Sequence, residues 1–420
     1  MRILIYGINY APELTGIGKY TGEMAAWLAR QNHEVEVITA LPYYPEWQIH
    51  EKYKGKWWMT EVVEGVKIHR CPLYVPAKVN SIKRIVHEFS FLGSIFPLFL
   101  RSLFSKKFDL IISVSPPFHL GILPMLYAKL RGTKFISHIQ DLQVDAARDL
   151  KMIKNKFALD MMFKLEKNLF ENSSAVSTIS TGMKSKIVAK GIPSSKIILF
   201  PNWVDQDMVR PLPREQSLIA EFGLSEDSKV ILYSGNLGEK QGLEVIIEVA
   251  KALQSRKDVV FVIVGSGGGK ANLMKLANDA NLNNIRFFPL QPYNKLSALL
   301  ATADVHLVLQ KKSASDLVMP SKLTAILASG GCPIVSAVPG TTLYDVISDH
   351  DLGILIEPES PDALLQGIQR ALASDLSHYR NNARKYSELY LSKENILRQW
   401  EATLFDIVQT KKEFVSNLTH

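Results

Sequence analysis

Residues 230–244 read Val230-Ile231-Leu232-Tyr233-Ser234-Gly235-Asn236-Leu237-Gly238-Glu239-Lys240-Gln241-Gly242-Leu243-Glu244. The first four are apolar and rich in β-branched and aromatic types, which suits a strand buried on both faces. Gly235, Gly238 and Gly242 then let the chain turn and bring bare backbone close to a ligand, and a helix is expected from about Gly242. Strand, glycine turn and helix in that order are the repeating unit of a parallel sheet with crossover helices. The chain begins on the same plan. Residues 2–6 form an apolar run, Asn9-Tyr10-Ala11-Pro12-Glu13-Leu14-Thr15-Gly16-Ile17-Gly18-Lys19 forms a loop ending on two glycines, and a helix is expected over 20–30.

Outward from these two starts the alternation continues. In the first half, strands are expected at 2–6, 34–39, 66–70, 109–114, 134–138, 175–179 and 197–200, with a further helix over 120–130. Pro201, Pro211 and Pro213, set among charged residues, interrupt the pattern. It resumes with strands at 230–233, 259–264, 285–288, 305–309, 334–336 and 354–356. Helices begin near Gly242, Lys270, Lys295, Ser321, Thr342 and Pro361. At roughly 100–200 residues per domain, a 420-residue chain is expected to be α/β: two Rossmann-like, doubly wound domains facing a cleft. The first spans 1–205, a linker 206–227, the second 228–390, and a last helix over 391–420 packs back on the first. Such sheets collect ligands at the carboxyl ends of their strands.

Composition narrows the function. Apolar residues make up 47%, enough for two cores, and charged residues 21% with a net charge of +8. That balance suits a phosphorylated small molecule or an anionic lipid. No block of consecutive Lys and Arg marks a nucleic-acid arm, so no nucleic-acid partner is expected. Cys71 and Cys332 stand far apart beside apolar runs and are expected as buried thiols; no Cys or His spacing suggests a metal. The stretch from Met1 to Gly7 is too short and too quickly polar for a signal peptide. The apolar stretch 89–104 is broken by Pro97 and Arg101 and falls short of the ~20 residues of a spanning helix. A cytoplasmic protein is expected.

Two more loops carry chemistry. Val264-Gly265-Ser266-Gly267-Gly268-Gly269-Lys270 is a third strand-end glycine run before a helix. In Met319-Pro320-Ser321-Lys322-Leu323, Ser321 is expected as an N-cap, and Lys322 falls in the first turn, where a cation opposes the helix dipole. A bound diphosphate would satisfy the dipole, the free N–H groups and Lys322 together; a plain capped helix is the alternative. Lys240 either neutralises a phosphate or is a solvated lysine. The Gly16–Gly18 loop either receives a hydroxyl-rich or anionic ligand or is an ordinary tight turn.

Together these motifs resemble glycosyltransferase family 4, of GT-B architecture, over essentially the whole chain. Gly16 and Gly18 match the family's first glycine loop. His138 and Asp141, in Ile136-Ser137-His138-Ile139-Gln140-Asp141, match its strand-end histidine region. Pro201-Asn202-Trp203-Val204-Asp205 resembles its hinge, with Trp203 where glycine is usual. Gly235-Asn236-Leu237 and Gly242 match the donor half, with Asn236 in place of arginine and Gln241 in place of lysine. The family's paired acids fall on Asp316, which keeps the first, and Thr324, which loses the second. Pro320-Ser321-Lys322 recurs in a subgroup that makes bacterial surface polysaccharides, and Leu290-Gln291-Pro292-Tyr293 belongs to the same likeness.

The resemblance implies a retaining transferase of exopolysaccharide assembly, of the colanic acid type. Its donor would be a nucleoside-diphosphate sugar such as GDP-fucose, with no metal and no other cofactor. It implies His138, Lys240, Asp316 and Lys322 as catalytic residues, and Gly16, Gly18, Gly235, Asn236, Gly267, Leu290 and Ser321 as donor-binding residues.

The chemistry agrees with that emphasis. Negative charge builds on the departing phosphate, so preorganised cations and N–H groups are the main requirement. His138 either hydrogen-bonds the donor sugar or is a structural histidine; Asp316 either orients sugar hydroxyls or is an exposed loop acid. Asp205-Gln206-Asp207 has the form of a metal–diphosphate motif but lies at the hinge, where a solvated or capping role is expected. Two other readings fit the same plan: a sugar-nucleotide epimerase, and an inactive sugar-nucleotide binder favoured by Asn236, Gln241 and Thr324.

Finally, Ile85, Phe89, Leu92, Phe96, Phe99 and Leu103 repeat at steps of four and three, an apolar helical stripe. Lys78, Lys83, Arg84, Arg101, Lys106 and Lys107 surround it, against Glu88. Lys52, Lys54, Lys56, Trp57 and Trp58 form a basic, aromatic stretch nearby. These residues either contact an anionic membrane or belong to core and acceptor loop. The expected partners are a nucleotide-sugar donor, a lipid-linked saccharide acceptor and the inner face of the cytoplasmic membrane.

Overall fold

The computed structural model describes all residues except 14–15, 79, 150–152, 154, 315–319 and 410–420. The chain divides into two compact units: Met1–Pro201 together with the chain from Leu397 on, and Asn202–Ile396.

The first unit contains β1 (Arg2–Tyr6), α1 (Gly16–Arg30), β2 (Glu34–Ala40), β3 (Met59–Val63), β4 (Val66–Cys71), α2 (Ser81–Leu103) and β5 (Leu110–Ser115). It continues with α3 (Ile122–Arg131), β6 (Lys134–Ile139), α4 (Gln143–Asp149), α5 (Lys156–Asn172), β7 (Ala175–Thr178), α6 (Thr181–Ala189) and β8 (Ile197–Leu199). Its strands pair in the order β3-β4-β2-β1-β5-β6-β7-β8. All pairs are parallel except β3–β4. The central strands are buried along nearly their whole length, β5 completely. A strand covered by helices on both faces must be apolar throughout, which is why these segments read as continuous runs.

The second unit contains β9 (Lys229–Asn236), α7 (Glu244–Ala252), β10 (Val259–Ser266), α8 (Lys270–Asp279), β11 (Ile285–Phe288), α9 (Leu296–Ala301) and β12 (Val305–Val308). After these come α10 (Ser321–Ala328), β13 (Pro333–Ser336), α11 (Thr342–Asp349), β14 (Ile354–Ile356), α12 (Pro361–Ala373), α13 (Ser377–Tyr390) and α14 (Lys393–Gln409). The strand order is β11-β10-β9-β12-β13-β14, all parallel. In both sheets the winding direction reverses once, between β1 and β5 and between β9 and β12. Doubly wound sheets bind ligands outside the carboxyl ends of the strands at such a reversal.

α14 begins in the second unit and ends in the first. Trp400 stacks on Phe200 with ring centroids 4.2 Å apart, and Glu401 lies 2.7 Å from His33 Nε2.

Three expectations are corrected. The stretch 206–227 is not a free linker: Val209, Leu218, Ile219 and Phe222 are buried, and Phe222 stacks on Phe288 at 3.9 Å. Arg214 also pairs with Asp304 at 3.3 Å. Prolines and charges there mark irregular backbone folded onto the second core. Second, β3 was not anticipated; Val62 and Val63 are exposed on an edge strand that lacks a buried face.

Third, the outward face of α2 coincides with only half of the expected stripe: Ile85, Phe89 and Phe96 are exposed, whereas Leu92 and Leu103 are half-buried. Phe99 is buried, with Phe91 and Ile95. The exposed apolar side chains are Ile82, Ile85, Val86, Phe89, Phe96, Leu100 and, just past the helix, Phe104. α2 is apolar on nearly every face, so periodicity alone could not select the one turned inward.

Candidate functional site

At the reversal point of the second sheet, two glycine loops support one another. Gly265, near the end of β10, lies so close to β9 that an added Cβ would fall 2.0 Å from the Gly235 carbonyl oxygen. The Leu237 N–H donates to Ser266 O and the Gly269 N–H to Leu237 O, both at 2.8 Å. Gly267 has φ +145°, and a Cβ there would meet Asn236 Oδ1 and Leu237 O at 2.6 Å. Only glycine fits such a position. Gly268 has open space on its Cβ side. The loop after β9 is held further by the Tyr233 hydroxyl, which donates to Asn236 O at 2.7 Å.

Lys322, in the first turn of α10, reaches this platform. Its Nζ lies 3.5 Å from the centre of the Tyr233 ring, and 3.3 Å from where a Gly235 Cβ would stand. The side-chain stem is partly exposed, but the Nζ is enclosed and has no hydrogen-bond partner among the described residues. Burial pushes its pKa down to about 7. Among the described residues no anion accompanies this buried amine, and the contact the structure gives its Nζ is an aromatic face.

The other expected donor-side residues spread around this centre. Lys240 sits half-buried in the turn Glu239–Gln241, where its carbonyl accepts from Lys311 N at 2.8 Å, joining the loops that follow β9 and β12. Asn236 is exposed at the platform's edge. Ser321 opens α10 but does not cap it: the N-cap is Pro320, with no side-chain cap bond. Leu290 lies past β11, at the sheet's edge and two strands from β9. Asp316 lies outside the described residues. The two departures from the family pattern have local uses. Gln241 Oε1 accepts from Gly238 N at 3.2 Å, and the Thr324 hydroxyl donates to Ser321 O at 2.8 Å.

In the first unit, Gly16 (φ +59°) starts α1 with open space around its Cβ position, whereas Gly18 is packed against Glu13. Glu13 was not anticipated as a site residue. Its carboxylate accepts from Tyr43 N, Tyr44 N and Asn9 Nδ2 at 3.1, 3.0 and 2.9 Å, which ties the loop after β1 to the loop after β2. Burial, the largest influence, pushes its pKa up to about 7 against those hydrogen bonds.

His138 occupies a different place from the one its motif suggests. It is buried between Phe200 and Trp400, and burial drives its pKa down to about 3. Nδ1 lies 2.9 Å from Ser177 Oγ and Nε2 lies 2.8 Å from the Gln140 amide nitrogen. Because the Gln140 amide donates, Nε2 accepts and the proton sits on Nδ1. The ring therefore holds Gln140, itself buried just past the end of β6.

Asp205 Oδ1 accepts from the N–H groups of Asp207 and Met208 at 3.3 and 3.2 Å, and Oδ2 meets Lys393 Nζ at 3.3 Å. These contacts give it the role of a turn-capping acid. Among the described residues no cluster of three or more His, Cys, Asp or Glu could hold a metal, and no helix is long and apolar enough to cross a membrane.

Comparison with known proteins places this geometry. Residues 15–203 match the glycosyl transferase 4-like domain, and residues 215–389 match the glycosyl transferases group 1. An Escherichia coli (strain K12) protein described as a colanic acid biosynthesis glycosyl transferase, WcaI, is 45% identical over 408 residues, covering 95% of this chain and 98% of that protein. Two solved structures share the fold. Sucrose-phosphate synthase from Thermosynechococcus elongatus has a TM-score of 0.77 at 16% identity, over 98% of this chain and all of that one. Anabaena HepE, in complex with UDP and glucose, has a TM-score of 0.71 at 13% identity, over 97% and 100%. The chain therefore belongs to the GT-B glycosyltransferases that join a 4-like first domain to a group 1 second domain.

Proposed function

We propose that this glycosyltransferase moves a sugar, with retention, from a nucleoside-diphosphate donor to a lipid-linked saccharide in exopolysaccharide assembly of the colanic acid type, with GDP-fucose as the first donor to test. The observation that carries the donor reading is the enclosed Lys322 Nζ, without a hydrogen-bond partner among the described residues, at the reversal point of the second sheet. A diphosphate there would complete the Lys322 environment, receive the first-turn N–H groups of α10 and meet the backbone of the two glycine loops. Charge on the departing phosphate would then be met by groups already in position, the arrangement that lowers a barrier most. Lys240 supplies a second positive charge, Asn236 and Ser321 polar contacts, and Asp316 a sugar-hydroxyl acceptor. With the charge met by lysines, no metal is required, and turnover should persist in excess EDTA.

In the first unit, the Gly16–Gly18 loop serves the donor, as the resemblance implies, and Gln140, oriented by His138, serves the acceptor side. The exposed apolar residues of α2 support peripheral contact with the inner leaflet of the cytoplasmic membrane. The likeness to WcaI supports the polysaccharide class. The test is a panel of GDP-, UDP- and dTDP-sugars with a lipid-linked saccharide extract. Transfer from one donor, lost in Lys322→Met, is expected; conversion or hydrolysis of every donor without transfer would refute the reading.

A further inference from the structure

The exposed side of α2 carries large apolar residues at 82, 86, 89, 96, 100 and 104, one above another at helical spacing. The position between 89 and 96 on that stripe is Gly93. A glycine inside a helix is unfavourable relative to alanine, and a Cβ at Gly93 would meet nothing within 4 Å. Packing within the chain thus gives no reason for a glycine there. Pro97, one turn later, also sits inside the helix and removes a helix hydrogen bond.

Gly93 lines a groove of about 620 Å³ whose walls are Leu41, Pro72, Leu73, Trp57 and Trp58. Of its two serines, Ser90 is turned to internal use, its Oγ accepting from Tyr74 N and donating to His87 O, while the Ser94 Oγ is buried without a partner among the described residues. The Trp58 indole donates to Ser94 O at 2.9 Å, which fixes that ring across the helix beside Gly93. Both tryptophans remain more than half exposed, with rings 6.0 Å apart. Lys56 is at the rim, and Lys52 and Lys56 both lie against the ring of Tyr53. Leu41 follows β2 and Leu73 follows β4, so the groove opens at the carboxyl end of the sheet, the end that also carries the Gly16–Gly18 loop.

We infer that this groove holds the first part of the hydrocarbon chain of a lipid phosphate, the carrier of the acceptor saccharide, with the phosphate beside Lys52 and Lys56. The inference rests on the lipid-linked acceptor reading above. An apolar channel, positive charge at one rim and continuity with an exposed apolar helix face together fit an anionic amphiphile. Gly93 leaves room for the chain where any side chain would fill the space.

The test uses the full chain and farnesyl phosphate, a short lipid phosphate, with binding followed by tryptophan fluorescence and calorimetry. Wild type is expected to bind it, and Gly93→Leu to bind at least tenfold more weakly. Co-sedimentation of Gly93→Leu with phosphatidylethanolamine–phosphatidylglycerol vesicles should stay within twofold of wild type, because the outer stripe is intact. Trp58→Ala should repeat the loss, and serves if Gly93→Leu fails to fold. Unchanged farnesyl phosphate binding in a folded Gly93→Leu protein would overturn the inference. So would lysophosphatidylglycerol competing as tightly as farnesyl phosphate, since the groove would then take bulk lipid. Farnesyl phosphate binding that depends on Gly93, in a protein that transfers no sugar, would support the groove while refuting the functional reading.

Discussion

Replacing Lys322 by Met should make the nucleotide-free protein more stable, and the gain should depend on pH. A lysine held at about 7 instead of 10.5 carries roughly 5 kcal/mol of burial cost, at 1.36 kcal/mol per tenfold change. The unfolded lysine keeps its proton to about 10.5, whereas the folded one releases it near 7. Between those values the unfolded state binds more protons, so wild-type stability rises with pH and the cost is complete only below about 7. Methionine abolishes the dependence. At pH 7 its second unit should melt roughly 10–20 °C above wild type, given about 2–4 °C per kcal/mol for a domain of this size. Near pH 10 the two should converge. Thermal unfolding of both proteins at both pH values, without nucleotide, is the assay. A variant less stable than wild type at pH 7, or an offset unchanged at pH 10, would refute the reasoning.

Other outcomes follow from the same geometry. Gly267→Ala places a Cβ against Asn236 Oδ1 and Leu237 O at 2.6 Å; it should cost about 2–3 kcal/mol in urea unfolding and weaken nucleotide binding. Glu13 in the folded chain releases its proton at about 7 rather than 4.5, so wild type should lose ~3 kcal/mol as pH rises between those values. Glu13→Gln lacks that loss, and melting curves of the pair should diverge above pH 5 and run parallel below pH 4. Ile82→Ser with Phe104→Ser removes two large side chains from the exposed α2 stripe, each worth ~2 kcal/mol of apolar burial; vesicle co-sedimentation should fall at least tenfold while donor hydrolysis stays unchanged.

Much of the fold was readable because parallel strands buried on both faces write themselves as unbroken apolar runs. The strands around residues 2–6, 110–115 and 259–266 are of this kind. Where burial is one-sided or absent the signal fails, as it did for β3, and for the irregular but buried chain around Phe222. Lys322 was legible because a cation in a first helical turn is a local conflict that a ligand would resolve. His138 stayed open between sugar ligand and structural histidine because a strand-end histidine looks the same in sequence whether it faces a ligand or a core. Its enclosure comes from Phe200 and from Trp400, which is distant in the chain. The packing of Gly235 against Gly265 was beyond reach for the same reason, since it depends on strand register.

The central claim is that a nucleoside diphosphate binds the second unit against Lys322, and calorimetric titration of GDP and UDP into wild type and Lys322→Met at pH 7.5 tests it most directly. Loss of a buried charge partner costs about 2–5 kcal/mol, so affinity for the preferred nucleotide should fall at least thirtyfold in the variant. Equal affinity in the two proteins would contradict the account.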